Sequence, residues 1–141
     1  MPTPEQRKQW AANFQEKHPE RHAEQTVRKF ENYYKTVKGR AAHMLQNSRR
    51  RAKVHGVEHT LTQEWIIQQL EPLVCEVTGL PLVLEVNGGK GHRDNPWSPS
   101  IDRIDQTGPY TPENCRITCW IYNRARGAFP DEAFTMMLEA L

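Results

Sequence analysis

A chain of 141 residues with 37% hydrophobic content and a mean hydropathy of −0.81 can bury one modest core, with much polar helix left exposed. No run approaches the roughly 18 apolar residues of a membrane span, and "MPTPEQRKQWAANF" lacks the apolar block of a secretory signal, so a soluble cytoplasmic protein is expected. The net charge of +2 hides an asymmetry: residues 1–60 carry 13 Lys/Arg against 6 acids, and residues 61–141 carry 6 against 11.

Along the chain, Pro4 to about His18 reads as a helix with Thr3 as N-cap and Pro4 in the first turn. After Pro19 a long helix is predicted from about Glu20 to Val54. Val27, Phe30, Tyr34, Val37, Ala41 and Met44 recur at three and four residues as one apolar stripe. Arg28, Lys35 and Arg50 fall opposite that stripe, while Lys29, Lys38, Arg40 and Arg49 flank it. Gly39 lies inside the pattern and is a possible break, and Gly56 supplies a C-terminal stop. From Lys35 to Lys53 there are seven basic residues and no acid. Such a block suits a phosphate backbone, or it is simply a solvated helix face. Phe30, Tyr33 and Tyr34 at this spacing read as core rather than as base-stacking platforms.

Thr62 should cap a short helix carrying Trp65, Ile66 and Leu70 and ended by Pro72. "VCEVTGLPLVLEV" reads as a β-hairpin, with Val74, Val77, Val83 and Val86 around the Thr78-Gly79 turn. Asn87 to Ser100 reads as a glycine-bearing surface loop. "SIDRID" and "NCRIT" read as two strands joined by "QTGPYTPE", and "CWIYNRARG" as a helix closed by Gly127. A last helix opens at Pro130 with Asp131 and Glu132 in its first turn, its apolar face being Phe134, Met137, Leu138 and Leu141. Strand, loop, strand, helix is an order that can gather side chains around one site. Cys75, Cys115 and Cys119 do not make a disulfide framework.

Cleaving a phosphodiester with one metal ion requires oxygen ligands for a hard cation, a base for water and positive charge for the pentavalent phosphate. Asp102 and Asn123 are candidate ligands. Arg103, Arg116, Arg124 and Arg126 are candidates for the charge. Lys35, Lys38, Arg40, Arg49, Arg50, Arg51 and Lys53, with Arg124 and Arg126, are candidate contacts to flanking DNA.

The segment around "SIDRIDQTGPYTPENCRITCWIYNRARG" resembles the ββα-metal core of HNH, or His-Me finger, endonucleases. The resemblance covers about Cys75 to Gly127. It implies an α+β fold in which residues 1–60 form a long basic helical arm and residues 61–141 hold the HNH-like core, its flanking helices and a C-terminal helix. It sets Asp102 on the family's metal-binding acid, Arg103 on its catalytic histidine, Asn114 on the loop-holding asparagine and Asn123 on the metal-binding helix residue. Mg²⁺ or Mn²⁺ would be the cofactor and DNA the partner. "CEVTGLPL" and "RRRAKVHGVEHTLT" extend the resemblance to small HNH-like proteins found mostly in bacteriophages. That implies a free-standing DNA-directed nuclease for homing or for processing phage DNA, working in the host cytoplasm.

Two positions depart from that pattern. Cys75-x-x-Thr78 and Cys119-x-x-Tyr122 each keep one cysteine where the family has two, a poor ligand set for structural zinc even if Cys115 reaches in. Arg103 stays protonated and cannot serve as an ordinary general base. His92 or Asp105 could stand in, or solvent or the phosphate itself could deprotonate a metal-bound water with Arg103 stabilising the transition state. The function expected is therefore a metal-dependent DNA endonuclease. The alternatives are a non-catalytic DNA-binding protein on the same scaffold, or a protein-binding factor working through the acidic C-terminal half.

Overall fold

The computed structural model describes residues 1–85 and 95–141, with backbone alone at positions 22, 27, 30 and 31. The chain divides into two compact units, Met1–Tyr33 and Tyr34–Leu141. Val86 of the predicted hairpin and the residues Asn87 to Asp94 of the predicted loop, including His92, lie outside the described residues.

The first unit is helical. In α1 (Pro4–Lys17) the Thr3 hydroxyl accepts from Gln6 N at 3.1 Å while Gln6 Oε1 accepts from Thr3 N at 2.9 Å, so two otherwise orphaned amides are satisfied. None of its residues is buried, Trp10 and Phe14 included. α2 spans Pro19–Tyr34.

The predicted single helix from Glu20 to Val54 is two helices. Thr36 adopts an extended backbone (φ −93°, ψ 151°), and its hydroxyl caps Gly39 N at 3.0 Å to start α3 (Val37–His55). A side-chain acceptor at Thr36 offers the chain a helix start that competes with continuation, so the break falls at Lys35-Thr36 and Gly39 sits inside the first turn. Gly56, in the left-handed region (φ 65°), ends α3. α3 buries Ala41, Met44, Leu45, Ser48 and Ala52, one helical stripe, against α4 (Gln63–Leu70). Thr62 caps α4 through Trp65 N at 3.2 Å, and Ile66 and Leu70 are fully buried.

The predicted hairpin is a tight loop with one bridge, Val74↔Pro81. Pro81 has no N–H to give to a ladder, and Gly79 turns the chain with φ 73°. Glu76 N donates to Ile117 O at 3.0 Å and ties this loop to the sheet.

The sheet is one antiparallel pair, β1 (Pro99–Arg103) and β2 (Cys115–Cys119), in the register Pro99↔Cys119 to Arg103↔Cys115. α5 (Trp120–Arg126) leaves β2 directly and packs on both strands. Ile117, Cys115, Cys119 and Tyr122 join Ile66, Leu70, Met44 and Tyr110 in one core. α6 (Asp131–Glu139) buries Phe134 edge-on to Tyr122, with ring centroids 5.4 Å apart. The rest of its predicted apolar face does not pack: Met137, Leu138 and Leu141 are exposed. Among the described residues, no helix is long and apolar enough to cross a membrane. The architecture is α+β, a small two-stranded sheet among helices.

Candidate nucleic-acid interface

Successive strand residues point to opposite faces, and this separates Asp102 from Arg103. Asp102 is fully buried beneath the sheet. Its Oδ2 accepts from Arg116 Nε at 2.8 Å, and its Oδ1 pairs with a terminal nitrogen of Arg126. Arg116 stands directly opposite Asp102 in the register and reaches on to Asp131 Oδ1 at 2.7 Å, where the Tyr122 hydroxyl also donates at 2.8 Å. Arg126 is 1% exposed and donates to the carbonyls of Arg103, Ile104 and Phe129 as well, while its Nε lies 3.4 Å from Asp131. Two carboxylates and two guanidinium groups thus tie β1, β2, α5 and α6 together. The electrostatics agree with that geometry. Hydrogen bonds from Arg116 and Tyr122 hold the Asp131 carboxyl below its ordinary range against the effect of burial. Burial and Asp131's charge push the Tyr122 hydroxyl up to about 12. Arg116 is raised by its two carboxylate partners, which outweigh its desolvation.

Two adjoining hollows of about 350 and 230 Å³ lie beside β1, α5 and the C-terminal half of α3, and Arg51, Gln106 and Asn123 line both. Ser100, Trp120 and Arg124 complete the first; His55, Ile101, Arg103 and Tyr110 complete the second. No carboxylate among the described residues lines either one. Arg103 donates to Gly108 O at 2.9 Å and lies over the Tyr110 ring at 4.6 Å, which fixes its guanidinium at the cleft wall. Asn123 donates to Ser100 Oγ at 2.8 Å and to Ile101 O at 3.2 Å. Its amide is therefore oriented with the carbonyl oxygen left as an acceptor.

Asn114 binds the loop between the strands. Its amide donates to Asp105 O and Pro109 O at 3.0 and 2.8 Å, and its carbonyl accepts from Asp105 N at 3.0 Å. Gly108 passes so close that an added Cβ would meet Asn114 Nδ2 at 2.8 Å. Asp105 turns the chain by accepting from both the amide and the hydroxyl of Thr107, which holds its carboxyl below the ordinary range.

The sequence-predicted residues therefore separate into three groups. Arg51, Arg103, Asn123 and Arg124 meet in the cleft. Lys35, Lys38, Arg49, Arg50 and Lys53 are exposed, and all but Lys35 lie on α3. Two of the expected DNA contacts, Arg40 and Arg126, are buried instead and cannot meet a backbone at the surface. The expected cation between Asp102 and Asn123 does not fit this arrangement, because both Asp102 oxygens are held by arginines and Asp102 lines neither hollow that Asn123 lines. Among the described residues, no group of three or more His, Cys, Asp or Glu could hold a metal ion. At the zinc-knuckle positions, Cys75 and Cys119 are buried thiols in mutual contact. The Thr78 hydroxyl turns to Cys75 and the Tyr122 hydroxyl to Asp131, which leaves no four-ligand set of thiolates or imidazoles among the described residues. Burial raises the Cys115 thiol to about 12.

His55 was missed in the sequence, although it stands one helical turn after Arg51 on the same face and so could have been placed beside it.

The chain matches no family model and no curated protein. Its fold is similar to a solved structure of the rare-cutting HNH restriction endonuclease PacI, at 21% identity and a TM-score of 0.49, over 70% of this chain and 72% of that one.

Proposed function

We propose that this protein binds DNA through its phosphodiester backbone, on a ββα unit resembling that of HNH endonucleases. The observation that carries the reading is the cleft itself: Arg51, Arg103 and Arg124 converge with His55 and two side-chain amides around hollows that no described carboxylate lines. Arginine forks and amide donors are the groups that neutralise and orient phosphate oxygens. Exposed Lys38, Arg49, Arg50 and Lys53 on α3 extend the same charge beyond the cleft, so a strand lying there meets positive potential along its length.

A second reading, phosphodiester hydrolysis in the same cleft, is favoured by one specific observation. His55 shares a hollow with Arg103 and Asn123, and an imidazole nitrogen is a chemically competent acceptor for a proton from water. Here the arginines would hold the phosphate and steady its developing charge, and His55 would take the proton. Asp102 has no part in that step.

Incubation with supercoiled plasmid in Mg²⁺, in Mn²⁺ and in chelator, beside a duplex-binding assay, separates the readings. Binding without nicking supports the first. Nicking that is lost in His55→Ala while DNA binding persists supports the second. Absence of both binding and nicking would dismiss the cleft as a nucleic-acid site.

A further inference from the structure

Two arginines are almost wholly enclosed, and they are treated differently. Arg126 has Asp102 and Asp131 as counter-ions. Arg40, 2% exposed on the first turns of α3, pairs with no carboxylate among the described residues. One of its terminal nitrogens donates to Leu84 O at 2.7 Å, and the other, Nη1, is buried without a hydrogen-bond partner among the described residues. A buried cation left without a counter-charge is costly, and so is an unmade hydrogen bond. Burial draws the Arg40 guanidinium below its ordinary value, with only Tyr34 acting the other way.

Arg40 lines a cavity of about 70 Å³, whose polar wall also includes His43, Asn47, Ser48, Arg51, Ser100 and Tyr110. No described carboxylate lines it. Ser100 Oγ accepts from Asn123, so its own proton is free to be donated. Ser48 is not available in that way, since its hydroxyl already donates to Leu45 O. Asn47 Nδ2 lies 3.0 Å from His43 Nε2, a contact that takes up part of its donor capacity. Two guanidinium groups and the Ser100 hydroxyl around so small a volume define a place for one compact anion.

We propose that this cavity binds a phosphate group, and that in a nucleic-acid strand it takes a terminal phosphate monoester. Arg51 and Ser100 belong both to this cavity and to the larger hollow beside it, so a strand lying in the cleft leads into it. The cavity has about a fifth of the volume of that hollow, enough for a chain end and too little for a chain to pass through. The phosphate site stands on Arg40; its assignment to a strand end rests on the nucleic-acid reading of the cleft.

The test is thermal unfolding of the full chain in sodium phosphate against sodium chloride at equal ionic strength. Phosphate at ten times its Kd is expected to raise the wild-type Tm by roughly 4 °C or more, and the rise should vanish in Arg40→Met and in Asn47→Leu. Arg40→Met removes an unpaired charge and keeps an unbranched apolar stem, so folding is expected to survive. Asn47 is only half-buried, and leucine there fills the cavity wall, so this variant keeps the test decisive if the first fails to fold. No phosphate-specific rise, or an equal rise in the variants, overturns the site. A duplex oligonucleotide with a 5′-phosphate should then bind at least tenfold more tightly than its 5′-hydroxyl counterpart, a preference lost in Asn47→Leu. Equal affinity for the two, with the phosphate rise intact, overturns the strand-end assignment and leaves a site for inorganic phosphate. If neither oligonucleotide binds while the phosphate rise persists, the nucleic-acid reading of the cleft fails and the phosphate site stands.

Discussion

Asp102 illustrates how one strand position decides a residue's work. Its neighbours Ile101 and Arg103 line the cleft, while its own carboxylate is enclosed between Arg116 and Arg126. Removing one partner of a buried charged cluster strands the others, at a cost of about 3–5 kcal/mol. Asp102→Asn is therefore expected to lose about that much stability by denaturant unfolding; unchanged stability would show that the cluster does not hold the sheet to α5. Asp131 belongs to the same cluster, and Arg116 holds its folded-state pKa below the unfolded one. Its contribution is thus fully present above the ordinary aspartate pKa of about 4 and fades as pH falls through the lower folded value. The stability gap between wild type and Asp131→Asn should be open at pH 7 and close in acid, as a series of thermal melts would reveal. The identities of Asp102, Arg103 and Asn123 were legible in the sequence as a polar, chemistry-bearing set. Which of them shared a face was not, because Arg126 is seven residues past β2 and only the folded return of α5 brings it under Asp102. His55 was legible in principle by helical spacing from Arg51, but nothing in a basic helix says which of its faces meets a strand that begins 44 residues later.

At the scale of elements, signals carried by a few adjacent residues were the readable ones. Thr3, Thr62 and Gly56 end or begin helices through bonds that span two to five residues, and each acts where the sequence placed it. Thr36 is the same kind of signal, hidden because the apolar stripe runs on through it. Thr36→Ala should cost about 1 kcal/mol in urea unfolding and leave the fold intact; no loss would mean that tertiary contacts alone start α3. Elements that depend on distant partners were less legible. Val74, Val77 and Val83 are β-formers, but Pro81 cannot feed a ladder and the loop docks on Ile117 instead. α6 has a regular apolar face, of which only Phe134 finds a partner, in Tyr122. Periodicity predicts that a face exists and is silent about whether anything covers it.

The whole molecule carries its charge unevenly, and that unevenness is the link from fold to function. Basic residues between Lys35 and Lys53 are divided by α3 into exposed side chains, a cleft-lining Arg51 and an enclosed Arg40. The charge block was plain in the sequence, whereas the division among surface, cleft and interior follows from the α3 stripe that packs on α4 and β1. If Arg51 and Arg124 each neutralise a phosphate, binding must release counterions in proportion. The most direct measurement is duplex DNA affinity by fluorescence anisotropy across a salt series in chelator, for wild type, Arg51→Ala and Arg124→Ala. Log affinity of the wild type should fall linearly with log salt, and each variant should show a slope shallower by about 0.9, with no dependence on divalent ions. Affinity that ignores salt, or that disappears on chelation, would contradict a cleft built to bind phosphates through its own arginines.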